Sequence, residues 1–143
     1  MTLKRYIRLV CLILVFAILA AVPVCAQEQS ARASEYLSSY RAYCTRTSTT
    51  TLEVSFHVVG TSRMDEIGAN MIKVQYSSDQ VNWTTARTFY KSVYTSMVDY
   101  NTSAHAAEIS CVIPAGKYYR AIVEFYSEKD GGFSERTYTT GII

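Results

Sequence analysis

Leu52-Glu53-Val54-Ser55-Phe56-His57-Val58 decides the fold. Apolar and polar side chains alternate along it, which is the period of a strand with one dry face. Ile72, Val74 and Tyr76 repeat the pattern against Lys73, Gln75 and Ser77. Further on, Tyr119, Ala121, Val123 and Phe125 face one side, opposed by Arg120, Glu124 and Tyr126, with Ile122 breaking the polarity. Thr and Tyr are abundant, as half-buried pleated surfaces favour.

Turn signals separate these runs. Ser78-Asp79-Gln80-Val81-Asn82 leads from the Ile72–Ser77 run to a strand beginning near Trp83. Pro114-Ala115-Gly116 precedes Tyr118–Tyr126, and Lys129-Asp130-Gly131-Gly132 reads as a hairpin turn into Phe133–Thr140. Tyr40–Arg46 and Ala106–Ile113 complete a set of about seven short strands. No window holds a helical period, although Thr88–Tyr100 fits neither pattern cleanly. The expectation is an all-β domain, a single antiparallel β-sandwich spanning 40–143.

The chain before that domain reads as an address. Lys4, Arg5 and Arg8 precede an apolar run from Leu9 to Val22 that only Cys11 interrupts. Pro23 ends the run, and Val24-Cys25-Ala26 presents short residues at a cleavage position, so residues 1–26 read as a secretory signal peptide. The run is 14 residues long, too short to cross a hydrocarbon layer of about 30 Å as a helix. Retention as an anchor is the competing reading. Residues 27–39 are small and polar and read as a flexible segment leading into the domain. Secretion, with no membrane association after cleavage, is the expected location.

Removing the leader changes the charge. The whole chain carries 14 basic and 12 acidic residues, a net +2. Residues 27–143 carry 11 and 12, a net −1. No clustered Lys and Arg remain to make a nucleic-acid footprint, so nucleic acid is excluded as a partner class.

Two stretches resemble known folds. Val74-Gln75-Tyr76-Ser77-Ser78-Asp79-Gln80-Val81-Asn82-Trp83-Thr84 looks like a hairpin of fibronectin type III and immunoglobulin-like domains. Pro114-Ala115-Gly116-Lys117-Tyr118-Tyr119-Arg120-Ala121-Ile122-Val123 looks like the segment carrying the tyrosine corner there. Other segments are Met64-Asp65-Glu66-Ile67-Gly68-Ala69, Tyr94, Met97, Tyr100-Asn101, His105, Tyr119-Arg120-Ala121, Phe125-Tyr126 and Arg136-Thr137-Tyr138. Together they make residues 40–140 similar to a family of small secreted proteins of Gram-positive, clostridia-type bacteria without an assigned activity. The resemblance implies a secreted single domain and assigns no residue a role.

Cys44 and Cys111 remain after the leader, and outside the cell they either pair as a disulfide or pack as two buried thiols. In the fibronectin-like strand order they stand two strand spacings apart, about 9–10 Å. A disulfide spans only about 7 Å between Cα atoms.

Chemistry-bearing residues are sparse. Beyond the leader the histidines are His57, on the polar face of its strand, and His105, which with Asp99 and Cys111 can be drawn as a site. No serine-elbow motif supports catalysis, so no catalytic residue is assigned. Asp65 and Glu66 form an acidic pair in what reads as a loop after the second strand, suited to a cation or a basic partner group. Met64 and Ile67 beside them read as plugs for the end of the sandwich, with Gly68 supplying an unusual backbone angle. Two carboxylates are too few for calcium, and no ligand pair stands at zinc spacing. No cofactor is expected. Eleven tyrosines remain, and Tyr94, Tyr118, Tyr126 and Tyr138 are placed by parity or loop position to face outward. Trp83 is expected in the core. The functional expectation is a non-enzymatic binding module presenting aromatic rings to an extracellular glycan, an envelope component or a protein. The competing one is a small secreted effector, such as an inhibitor or bacteriocin-like protein, acting through a loop.

Overall fold

The alternation starting at Leu52 does build a strand, and it continues through the predicted loop. In the computed structural model, which describes residues 34–143, the chain runs β1 Leu37–Ser48, β2 Thr51–Ser77, β3 Thr84–Tyr90, a 3-10 turn Thr95–Met97, β4 Val98–Val112, β5 Tyr118–Lys129 and β6 Gly132–Thr139. The expected signal peptide at 1–26, and the expected flexible segment as far as residue 33, lie outside the described residues. β1 begins at Leu37, ahead of the expected Tyr40, because Leu37 is buried and Ser34 Oγ accepts the Leu37 N–H at 2.7 Å.

All six strands join one antiparallel sheet. The count differs from the expected seven because β2 fuses two predicted strands. β2 is the hub. Its first half lies between β1 and β4, with Val54 opposite both Cys44 and Ile109. Its second half lies between β3 and β5, with Ile72 opposite Phe89 and Val123. β6 pairs with β5. Met64-Asp65-Glu66-Ile67-Gly68, read from sequence as a loop, is instead the strand segment that passes from one half to the other, paired by both β4 and β5. Register shifts between Val59 and Met64 and between Ala69 and Met71 let it do so. The buried set keeps its parity from Val58 to Met64, changes it between Met64 and Ile67, and changes back to Ile72 across the one-residue shift between Ala69 and Met71.

The sheet curls until its apolar faces meet. Phe56 on the first half of β2 approaches Phe125 of β5 at 5.9 Å between ring centres, and Tyr40 of β1 lies 5.2 Å from the same ring. Leu52, Val54, Val58, Ile72, Val74, Tyr119, Val123 and Phe125 are fully buried around them. Burying side chains of this size contributes roughly 1.5–3 kcal/mol each. The Tyr119 hydroxyl, at the start of β5, donates back to the Pro114 carbonyl.

Two turns follow their residue chemistry. Asp130 and Gly131 both take positive φ, 51° and 80°, as a two-residue hairpin between β5 and β6 requires. Between β2 and β3, the Asp79 carboxylate accepts the Val81 and Asn82 N–H groups at 2.9 and 2.8 Å and the Ser77 hydroxyl at 2.8 Å. The Asn82 N–H and side chain, the Val81 N–H and the Ser77 hydroxyl hold its carboxyl well below the usual carboxylate range. The depressed value means the anion is favoured in the folded state. Its stabilisation is complete above the unfolded-chain value of about pH 4 and drains away as acid protonates the folded group. Thermal melts of Asp79→Ala should therefore lie below wild type at neutral pH and converge on it in strong acid. A difference that stays constant with pH would contradict this account.

Candidate functional site

The residues that converge most on the surface come from β2, β5, β6 and the chain just after β3. Pairing of β2 with β5 sets Glu66 directly opposite Glu128. Like charges so placed repel, and two neighbours relieve them. Lys91 Nζ donates to Glu66 Oε1 at 2.7 Å, and the Tyr126 hydroxyl donates to Glu128 Oε2 at 2.5 Å. The Lys91 ammonium also sits 4.0 Å from the centre of the Tyr126 ring, a cation–π contact that knits the two pairs together. Partial burial raises the Tyr126 phenol above its ordinary value, and Glu128, Glu66 and Glu135 raise it further. The hydroxyl therefore stays a donor at any physiological pH.

Phe133 completes the group. The hairpin turn fixes β6 so that Phe133 lies opposite Glu128 and Glu135 lies opposite Tyr126. The Phe133 ring is near parallel to Tyr126, 26° apart with centres 6.1 Å apart, and is 63% exposed. Asn70 Nδ2 donates to Glu135 Oε1 at 2.7 Å at the border. The arrangement is an apolar ring open to solvent beside Tyr126 and Glu128, with the Lys91–Glu66 ion pair held one strand further along the same face.

Tyr126 and Glu66 are thus brought together, and the other predicted residues are not. Asp65 accepts the Asp130 N–H at 2.8 Å and pins the β5–β6 turn. Tyr118 is exposed at the opposite end of β5 from Tyr126. Tyr138 faces inward, edge-on to Tyr40 at 6.4 Å. Tyr94 is half-buried, edge-on to Phe89 at 5.0 Å, and borders a cleft between β3 and β4. Trp83, expected in the core, stands outside it, with the Arg120 guanidinium 4.2 Å over its ring and its Nε1–H donating to the Gln80 carbonyl. Sequence reading missed Lys91, Glu128 and Phe133. The Asp130-Gly131 turn could have exposed the last two, since a two-residue hairpin dictates which residues face each other.

His105 makes a different set of contacts. Its Nε2 hydrogen-bonds the Ser96 carbonyl at 2.9 Å and its Nδ1 lies 3.9 Å from Asp99 Oδ2. Cys44 and Cys111 are free, buried thiols on the strands that flank β2, opposite Val54 and Leu52 respectively. Burial, and then the Cys111 thiol, push Cys44 up to about 11. Among the described residues no group of His, Cys, Asp and Glu side chains could hold a metal ion, and no helix is long and apolar enough to cross a membrane. No family model, no curated protein and no solved structure matches this chain.

Proposed function

We propose that this is a secreted, non-enzymatic binding domain that takes a sugar ring of an extracellular or envelope glycan against Phe133. The observation that carries the reading is the exposed Phe133 ring, stacked on Tyr126 and opposite Glu128, with the Lys91–Glu66 ion pair held against the same tyrosine. A pyranose offers an apolar C–H face and a rim of hydroxyls. The ring accepts the first by stacking, and the carboxylates and ammonium accept or donate to the second. Because those polar groups are already tied to neighbours, little side-chain freedom remains to be lost on binding. The effector reading depended on protruding loops, whereas Thr61–Gly68 belongs to β2 and Thr95–His105, directly after Tyr94, to the 3-10 turn and β4.

The same reading takes the curled sheet as a fibronectin type III-like sandwich. One layer would be β1, the first half of β2 and β4. The other would be β3, the second half of β2, β5 and β6. The Tyr119-to-Pro114 bond supports it, because a tyrosine near the start of a strand bonding back to the chain a few residues upstream is a mark of that architecture.

Co-sedimentation of the purified protein with insoluble bacterial cell wall, and separately with mucin, tests the function. Saturable binding to one of them is expected. Phe133→Ala should weaken it about tenfold, equivalent to ~1.4 kcal/mol, without lowering Tm, since Phe133 is largely exposed. Absence of binding to both materials sinks the glycan reading. Binding unaffected by Phe133→Ala removes the site from this face.

A further inference from the structure

Among the described residues β3 and β4 each pair with β2 alone, so each presents an edge that no other described strand covers. Between these edges lies a cleft of about 310 Å³ bordered by Thr51, Arg87, Phe89, Tyr94, Ser110 and Cys111. That volume stands at the small end of ligand pockets, which run from about 300 to 1,000 Å³. Phe89 and Tyr94 form an edge-to-face aromatic pair, and the Cys111 thiol, 9% exposed, borders the same space. Arg87 is exposed, and the ion pairs among the described residues, Lys91 with Glu66 and His105 with Asp99, do not include it. A guanidinium without a carboxylate, beside a small aromatic recess with two hydroxyl residues, is a complete set of parts for one ligand chemistry.

We infer that this cleft binds a small carboxylate with an apolar body, the carboxylate on Arg87 and the body against Phe89 and Tyr94. The planar guanidinium matches a carboxylate with two parallel hydrogen bonds. The ring pair supplies apolar area and the preference for an edge-to-face third ring. The volume limits the body to a single ring or a short alkyl chain. Nothing here uses the Phe133 face, so the inference stands or falls apart from the glycan reading.

Phenylacetate and its uncharged counterpart phenylethanol are suitable probes, titrated into the purified protein with backbone amide shifts as the readout. Phenylacetate should move the amides of Arg87, Tyr94 and Ser110 and bind about tenfold tighter than phenylethanol, as a charge-assisted bidentate pair warrants. Arg87→Gln, a change at an exposed position, should erase the difference between the two probes and leave the fold intact. Alkylation by iodoacetamide, followed at each cysteine by mass spectrometry, gives a second readout. Saturating phenylacetate should slow reaction at Cys111 and leave Cys44 unchanged. Equal binding of the two probes, or amide shifts elsewhere, overturns the inference, as does a difference that survives Arg87→Gln. A thiol too slow to alkylate leaves the amide shifts to decide.

Discussion

Phe125→Ala should remove about 3–5 kcal/mol of folding stability, the usual cost of deleting a buried phenylalanine ring. Domains of this kind are held by only about 5–15 kcal/mol in total, so the variant should be partly unfolded at body temperature. The reason is position as much as size. Phe125 is fully buried and touches both Phe56, from the first half of β2, and Tyr40, from β1. Removing it opens a cavity where the curled ends of the sheet meet, and neither ring can reach across the gap. Urea unfolding gives the number directly, with wild type and Ile122→Ala as references. Ile122 is the half-buried neighbour on the outward face and should cost far less. Near-equal losses for the two variants would show that the sheet ends do not pack at Phe125.

Gly68→Ala should be as damaging for a different reason. A methyl group there would stand 2.1 Å from the Met97 carbonyl oxygen and 2.6 Å from the Val98 Cα. Both are backbone atoms, so no rotamer change relieves the clash. The pair Gly68–Val98 must separate, and with it the pairing of β4 to the middle of β2. A loss of about 3 kcal/mol or more is expected, at the upper end of overpacking effects. Hydrogen exchange should report faster opening at Val98–Thr102 than at Ala107–Val112, which pair with the far end of β2. Gly116→Ala is the control. Its φ is +71° but nothing lies within 4 Å of the added methyl, so it isolates backbone strain from collision and should cost only about 1 kcal/mol. A Gly68→Ala protein as stable as that control would falsify the close-approach argument.

These two positions also mark what could be read from sequence. Alternation names Phe125 and its inward neighbours correctly, because burial on one face imposes period two on any strand. The Asp130-Gly131 hairpin is equally legible, since only particular residues accept positive φ at both central positions. Gly68 is legible as special and misread in kind. Its role is to admit a neighbouring strand, and that neighbour comes from a distant part of the chain. The stretch around it reads as a loop because Thr61, Ser62, Arg63, Asp65 and Glu66 are polar and the inward parity slips twice, between Met64 and Ile67 and again between Ala69 and Ile72. A period-two pattern with slips looks like no pattern. Trp83 is misplaced for a related reason, as its hydrophobicity says nothing of the Arg120 guanidinium that covers it from β5. The candidate site divides the same way. Tyr126 and Glu66 are identifiable one by one, whereas the Lys91 bridge exists only once β2 and β5 pair.

The hub arrangement of β2 carries a consequence for the order in which the chain can assemble. As synthesis proceeds from the N-terminus, β1, β2 and β3 form first, as two hairpins of consecutive strands. These satisfy one edge of each half of β2. The two remaining edges wait for β4 and β5, which return from later in the chain to complete them. Such long-range closures are slow because chain entropy is spent before the contacts reward it. A nascent chain ending before β5 therefore holds β2, the longest of the described strands, with a stretch of backbone hydrogen-bonding groups still open to any passing strand, the circumstance in which folding helpers matter most.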